Sequence, residues 1–115
     1  MKLMTIVPAL LLLTAAGPAP DSETKEDVRC FVAFSLLSSD ADEEVVEGGV
    51  MAAQYFLGRL DGRTPGLDLE AAVTQAGEGM DEAAHAALLE SCGKTFQDRN
   101  NEVAKMGEQA EQPAG

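Results

Sequence analysis

Apolar side chains are densest between Cys30 and Leu37, once the extreme N-terminus is set aside, and Ser35 is the only polar residue among them. A run of this length suits either a buried strand or a helix. Because Val32 is its only β-branched residue, the composition favours a helix that is apolar nearly all round. Such a helix must be covered by other elements. Its side chains fall on two faces, one with Val28, Phe31, Val32 and Ser35 and the other with Cys30, Phe34 and Leu37.

Three more segments have apolar residues spaced three and four apart, which is the period of a helix. The second predicted helix carries Val45, Gly49, Ala52, Ala53, Phe56, Leu57 and Leu60 on one face. The third carries Leu69, Ala72, Val73 and Ala76, and the fourth carries Ala84, Leu88, Cys92 and Phe96, with Val103 and Met106 continuing its face. The sequence therefore predicts an all-α fold, a small four-helix domain.

Polar residues at the predicted helix starts supply the caps that the first backbone N–H groups need. Ser22 or Thr24 can cap the first helix, Asp68 the third and Asp81 the fourth. The acidic residues between 40 and 47 fit the cap and first turn of the second helix, because negative charge is favourable at a helix N-terminus.

Glycine marks two special places in the chain. Gly48 and Gly49 lie inside the second predicted helix, where each costs about 1 kcal/mol relative to alanine. Since Gly49 is on the apolar face, we expect the second helix to pack closely against the first. Further on, Gly62 is predicted to stop the second helix, and Pro65 and Gly66 fit the centre of a type II turn.

Residues 1–16 have the layout of a secretory signal peptide, with a basic residue, a short apolar region and small residues before cleavage after Ala16. The apolar region is too short to span a bilayer. We expect residues 17–23 to form a flexible leader, residues 24–108 the helical domain and residues 109–115 a flexible tail. The predicted location is therefore periplasmic or secreted.

The chain has two cysteines, Cys30 in the first predicted helix and Cys92 in the last. Both occupy core-facing positions, and an exported chain enters an oxidising compartment. An even number of cysteines in such a chain indicates a disulfide. We predict that Cys30 and Cys92 are bonded. Closing a loop of this length raises the free energy of unfolding by about 4 kcal/mol in the chain-entropy model.

Charge narrows the classes of partner. The chain carries 8 basic and 20 acidic side chains, a formal charge of -12, and removal of Lys2 with the signal peptide leaves -13. This acidity argues against nucleic acid and anionic membrane surfaces, which bind basic patches. A protein partner or unfolded clients remain as candidates, although most of this charge is expected to be a solvated surface.

Tyr55, Arg59 and Arg63 are the candidate partner-binding residues. The two arginines are scarce bases in an acidic chain, and an arginine fork can receive the carboxylate of an acidic partner. In the alternative interpretation the arginines pair with Asp61 or with the acidic residues between 40 and 47. The sequence favours this second, structural role.

No catalytic residue, metal site or cofactor is predicted. Asp40, Asp42 and Glu44 alternate like the opening of a calcium-binding loop. However, Val45 and Met51 stand where such a loop needs glycine and a bidentate glutamate. The acidic segment is therefore interpreted as a helix start.

The single histidine, His85, lies seven residues before Cys92, so both fall on the same side of the last helix. One histidine without a second group to orient it makes a weak catalytic dyad. A site of two cysteines and one histidine also lacks a fourth zinc ligand and the short spacing of zinc motifs. We expect His85 at the surface or at the core boundary, and we predict that the protein is not an enzyme.

Four features give residues 28–106 a resemblance to a known family. They are the export signal, Cys30 in the first helix, Cys92 in a late helix and the Gly-Arg-Leu-Asp-Gly segment at 58–62. The region resembles the HdeA-type periplasmic acid-stress chaperones of Gram-negative bacteria. It is also similar to the small two-cysteine immunity proteins that neutralise secreted toxins. The first resemblance implies an all-helical fold, one disulfide and client binding through apolar surface at low pH.

Two functions follow as expectations. The leading one is a small exported, non-enzymatic binding or stress protein, and the alternative is an immunity-type inhibitor of one basic protein, or a structural protein. Acid would reverse the charge of the mature chain from about -13 to about +8. We expect carboxylates paired with Arg59 or Arg63 to have depressed pKa values, so that acid removes these pairs. The helices should then loosen near pH 2 to 3 and expose Phe31, Phe34, Phe56 and Phe96.

Overall fold

The computed structural model describes residues 20–112, and within that span the chain forms α-helices and no β-strand. The elements are α1 (Ser22–Ser35), a 3-10 turn (Leu36–Ser39), α2 (Glu43–Arg63), α3 (Leu69–Glu78) and α4 (Glu82–Glu111). The prediction of an all-α, four-helix domain is confirmed. The predicted signal peptide, residues 1–16, lies outside the described residues.

The first helix, α1, is the centre of the fold, since it contacts α2, α3 and α4. Its two apolar faces pack into two separate clusters. The face with Val28 and Val32 meets Leu60 of α2 and the apolar side of α3. The other face meets α2 and α4 in a cluster of Cys30, Ala33, Phe34, Ala52, Ala53, Phe56, Leu88 and Cys92. The prediction that the Cys30 helix is covered by other elements is confirmed.

Each of the four helices begins at an aspartate whose carboxylate accepts a backbone N–H. Asp42, Asp68 and Asp81 cap α2, α3 and α4, as the sequence indicated. For α1 the prediction was wrong, because Asp21, rather than Ser22 or Thr24, is the cap. Thr24 is instead fully buried, and its hydroxyl is 2.7 Å from the hydroxyl of Thr64.

The connection between α2 and α3 is a tight turn around Pro65 and Gly66. Gly66 has a φ of 92°, and the Leu67 N–H donates to the Thr64 carbonyl at 3.1 Å. Both features fit the predicted type II turn. Gly62 does not stop α2, however, because the helix continues through Arg63 and the Thr64 N–H still bonds to the Leu60 carbonyl.

Gly49 is the point of closest approach between α2 and the end of α1. A Cβ built on Gly49 would lie 3.0 Å from both the Phe34 carbonyl oxygen and the Leu37 Cβ. Such a distance is shorter than an ordinary van der Waals contact, so the absence of a side chain allows the two backbones to approach. A Cβ on Gly48 would meet nothing within 4 Å. Close packing at Gly49, predicted from its position, is confirmed.

Gly49→Ala is expected to lower the free energy of unfolding by about 1 to 2 kcal/mol. The added methyl group must push α1 away from α2, and overpacking of this kind costs more than the gain in helix propensity. Gly48→Ala is the matched control and should raise stability by about 0.5 to 1 kcal/mol. Urea denaturation of both variants measures the difference. Equal stability of the two would contradict the close approach.

The last helix is much longer than the bundle that it joins. Leu88 and Cys92 in its first half are buried, whereas every residue from 97 to 112 is exposed. Val103 and Met106, which were predicted to continue the inward face, are 54% and 55% exposed. That prediction was wrong, because no other helix in the described span covers this part of α4. We call residues 97–112 the α4 extension. Gly107 lies within this continuous helix.

None of the helices between residues 20 and 112 combines the length and apolar character needed to cross a membrane.

Candidate functional site

The scarce arginines of α2 meet two carboxylates of α1. Arg59 Nε lies 3.3 Å from Asp27 Oδ2, and Arg63 Nη1 lies 2.8 Å from Glu23 Oε2 and 3.7 Å from Asp27 Oδ2. These partners are neither Asp61 nor the acidic residues between 40 and 47, so the predicted partners were wrong. The structural role itself agrees with the interpretation that the sequence favoured.

Asp27 is the buried member of this group, with a side chain 4% exposed. Burial raises the pKa of Asp27, and the positive charges of Arg59 and Arg63 counteract only part of this effect. Although Arg59 Nε is close, no group in the described part of the chain makes a hydrogen bond to Asp27 Oδ2. The expectation of a depressed pKa for an arginine-paired carboxylate is therefore wrong for Asp27, because loss of water outweighs the ion pairs.

Asp27→Asn is expected to leave the protein as stable as the wild type, or more stable, at neutral pH. Because the folded-state pKa of Asp27 is raised, the charged carboxylate destabilises the fold above that pKa, and the penalty disappears as pH falls toward the unfolded value near 3.9. The advantage of the variant should therefore shrink between neutral pH and about pH 4. The two arginines stay partly hydrated, since their side chains are 32% and 28% exposed.

Urea denaturation across this pH range measures the effect. Glu23→Gln is the control, because Glu23 is exposed and its pair with Arg63 should contribute less than about 1 kcal/mol. A loss of stability in Asp27→Asn that is largest at neutral pH would contradict the assignment, since it would mean that the ionised carboxylate stabilises the fold.

Tyr55 completes the group through contacts with Arg59. The Arg59 Nη1 donates to the Tyr55 hydroxyl at 3.3 Å, and the guanidinium carbon lies 5.7 Å from the centre of the Tyr55 ring. Burial opposes the charge of Arg59, yet the Tyr55 hydrogen bond and the Asp27 carboxylate leave its pKa above the usual value. The ring of Tyr55 also packs against Phe96 of α4, with centroids 5.5 Å apart. Tyr55 thus joins the charged group to the aromatic side chains.

A small cavity of about 120 Å³ lies beside this group and the disulfide. Asp27 and Arg59 line one side of it, and Ser91 and Thr95 of α4 line the other. Asp27 is thus a residue of the cavity wall, although its unbonded oxygen Oδ2 is itself buried. The cavity has room for roughly four waters at liquid density.

Cys30 and Cys92 form a disulfide that joins α1 to α4, with their Cα atoms 5.6 Å apart. The predicted pairing is confirmed. The Glu26 carboxylate lies within 4.8 Å of both sulfur atoms. These three residues are the one cluster of potential metal ligands found between residues 20 and 112. Because metals bind thiolates and these sulfurs are bonded to each other, the oxidised protein does not offer them as ligands.

His85 lies half-buried at the boundary of the core, as expected. Its Nε2 is 2.8 Å from the carbonyl oxygen of Ala33 near the end of α1. The Ala33 carbonyl is an acceptor, so the ring nitrogen must be the donor. His85 therefore holds α4 to the end of α1, about two turns before the disulfide on the same helix.

The structure brings together the three predicted residues Tyr55, Arg59 and Arg63, but it uses them for contacts within the chain. Their binding of a partner stays a prediction. Sequence analysis missed Asp27, although a signal was present. Asp27 lies three and seven positions before Cys30 and Phe34, which places its carboxylate on the same buried face of α1.

Large apolar side chains are exposed in two parts of the surface. Leu36, Val50 and Met51 lie at the end of α1 and on α2, and Val103 and Met106 lie on the α4 extension. Neither group belongs to a cluster of the buried core. They are the apolar surface that a partner could cover.

Comparison with protein-family models, with curated proteins and with solved structures found no match to this chain, so its family is not assigned.

Proposed function

We propose that this chain is a small exported, non-enzymatic binding protein that contacts a protein partner through the α4 extension. The observation that carries the proposal is that every residue from 97 to 112 is exposed, on a helix whose first half is fixed in the core. An isolated helix of this length is marginal in water. The α4 extension, however, continues a helix that is anchored in the core, so the extension is already helical when it meets a partner.

The α4 extension has the spacing of a helix that binds in an apolar groove. Val103 and Met106 are three residues apart and exposed, and such spacing places the two side chains along one face. One ion pair, Arg99 with Glu102, lies within the α4 extension, and Arg99 is four residues before Val103. The strong acidity of the whole chain supports a basic partner, because opposite charge speeds and orients association.

Two classes of partner fit this proposal. An immunity-type inhibitor would bind one basic protein in a fixed ratio, whereas a stress protein would bind many clients weakly. Capture of partners from the periplasm, followed by titration of each purified partner, separates the two classes. Val103→Ser with Met106→Gln should weaken binding by at least tenfold if these side chains are buried at the interface.

Met51→Gln is the control for this measurement. Met51 is 62% exposed on α2, so its substitution changes apolar surface without touching the α4 extension. Both variants alter exposed residues and should leave the fold intact. Binding that survives Val103→Ser with Met106→Gln would remove the basis of the proposal.

The Asp21 cap of α1 favours an acid-stress function as a second candidate. Hydrogen bonds from the Thr24 backbone and hydroxyl lower the pKa of Asp21, so this cap stabilises α1 above the unfolded value near 3.9 and loses that contribution as pH falls through the lowered value. Asp27 acts in the opposite direction. Dye binding, suppression of client aggregation and helicity between pH 7 and 2 test the proposal that acid exposes the core aromatic residues. A domain that stays closed and inert in acid would contradict it.

A further inference from the structure

A groove between α1 and α3 forms a second candidate site, away from the α4 extension and from the charged group of α2. The groove has a volume of about 220 Å³. Its floor consists of Val28 from α1 and Ala72 and Ala76 from α3, and Lys25 and Arg29 of α1 lie among its lining residues. The groove therefore combines an apolar floor with two basic side chains.

Both basic side chains lack an ionic partner within the described residues. Arg59, Arg63, Lys94 and Arg99 each lie within 4.0 Å of a carboxylate there, whereas Lys25 and Arg29 make no such pair. The two are four residues apart on α1, so they lie on the same side of the helix and repel each other. Lys25 and Arg29 are the charged residues among those that line the groove, and both are basic. An anion placed between them would remove the repulsion.

The groove is polarised along its length. No carboxylate lines the part beside Lys25 and Arg29. Beyond Pro20, which borders both parts, it continues into a second hollow of about 370 Å³ at the turn between α2 and α3, where Asp68 is among the lining residues. A negatively charged ligand is therefore favoured at the end beside α1 and disfavoured near Asp68.

We propose that this groove binds small carboxylic acids with an unbranched apolar chain. The carboxylate lies between Lys25 and Arg29, and the chain lies on Val28, Ala72 and Ala76. The part of the groove beside Lys25 and Arg29, with a volume of about 220 Å³, holds roughly seven non-hydrogen atoms at the volume per atom of liquid water. It is smaller than the 300 Å³ or more of pockets for drug-sized ligands. An acid of about eight carbons fits, with its charged end at the rim, and longer chains reach the second hollow.

Two physical contributions should hold such a ligand. The alkyl chain leaves water for the apolar floor, which supplies most of the affinity. The charged end makes hydrogen bonds to an ammonium and a guanidinium, and these are stronger than neutral hydrogen bonds. Because both bases are exposed, the second contribution weakens with added salt.

Isothermal titration of the purified protein with sodium octanoate tests the proposal, with 1-octanol as the neutral probe of the same length. Octanoate should bind at least tenfold more tightly than octanol in low salt. Lys25→Gln with Arg29→Gln should remove that preference and leave weak binding of both. Lys105→Gln is the matched control, since Lys105 is an exposed lysine on the α4 extension and its substitution should leave octanoate binding unchanged.

A third variant tests the location of the chain. Ala76→Leu places a larger side chain in the groove and should abolish binding of octanoate and octanol, while circular dichroism verifies that the helices remain. Failure of the wild type to bind octanoate, or equal binding by wild type and Lys25→Gln with Arg29→Gln, would overturn the proposal. Neither result bears on the α4 extension, whose partner binding is measured with different variants.

Discussion

Phe56→Ala is expected to lower the free energy of unfolding by about 3 to 5 kcal/mol, which is the usual cost of removing a buried phenylalanine ring. Phe56 is 1% exposed on α2 and packs against the ring of Phe34 on α1, with centroids 6.0 Å apart. It also belongs to the cluster that includes both cysteines. The cavity left by the missing ring can close only if α2 moves toward the disulfide. Because that bond restrains α1 and α4, we expect the cavity to stay largely open.

Chemical denaturation of the oxidised protein measures this loss. Phe96→Ala is the matched control, because it removes the same ring from a half-buried position on α4 and should cost clearly less. Equal effects of the two substitutions would mean that Phe56 is not at the centre of the core. A typical domain is stable by only 5 to 15 kcal/mol, so Phe56→Ala brings the protein close to unfolding.

Reduction of the Cys30–Cys92 disulfide is expected to lower the free energy of unfolding by about 4 kcal/mol. The bond closes a loop with a sequence separation of 62, and its loss returns the entropy of that loop to the unfolded chain. Mass spectrometry of the protein without reductant should first show two hydrogens fewer than the dithiol. Denaturation with and without reductant then measures the change in stability.

Cys30→Ala with Cys92→Ala separates the cross-link from the packing of the sulfur atoms. Both cysteines are buried, so the double variant loses the bond and also some contacts. It should be less stable than the reduced wild type, while both are less stable than the oxidised protein. A reduced protein as stable as the oxidised one would show that the loop constraint contributes nothing.

Helix starts and the disulfide were predictable from local signals. Asp68 and Asp81 precede apolar periodic segments directly, and a capping side chain acts within one turn. The pairing of Cys30 with Cys92 needed only the number of cysteines and their inward positions. Gly49 was predictable because a glycine on an apolar helix face has few other roles. The helix caps depend on residues that are neighbours in sequence. The disulfide and Gly49 each left few other interpretations to consider.

The remaining features depend on contacts between distant segments. Periodicity shows which face of α4 is apolar, but it does not show where the other helices end, so the exposure of Val103 and Met106 was missed. The partners of Arg59 and Arg63 were missed for a similar reason. Many carboxylates could have faced these arginines, and only the crossing of α1 and α2 selects Glu23 and Asp27. The groove beside Lys25 and Arg29 likewise requires the docked position of α3.

The central position of α1 also affects the order in which the molecule can assemble. Synthesis proceeds from the N-terminus, so α1 appears first, while Cys92 follows its partner by 62 residues. Until then α1 can be covered by α2 and α3 but lacks α4, and its face with Cys30 and Phe34 has an incomplete partner. Exposed apolar surface of this kind makes incomplete chains prone to aggregate. This protein is therefore most prone to aggregate while its chain is incomplete, before α4 is present to close the core.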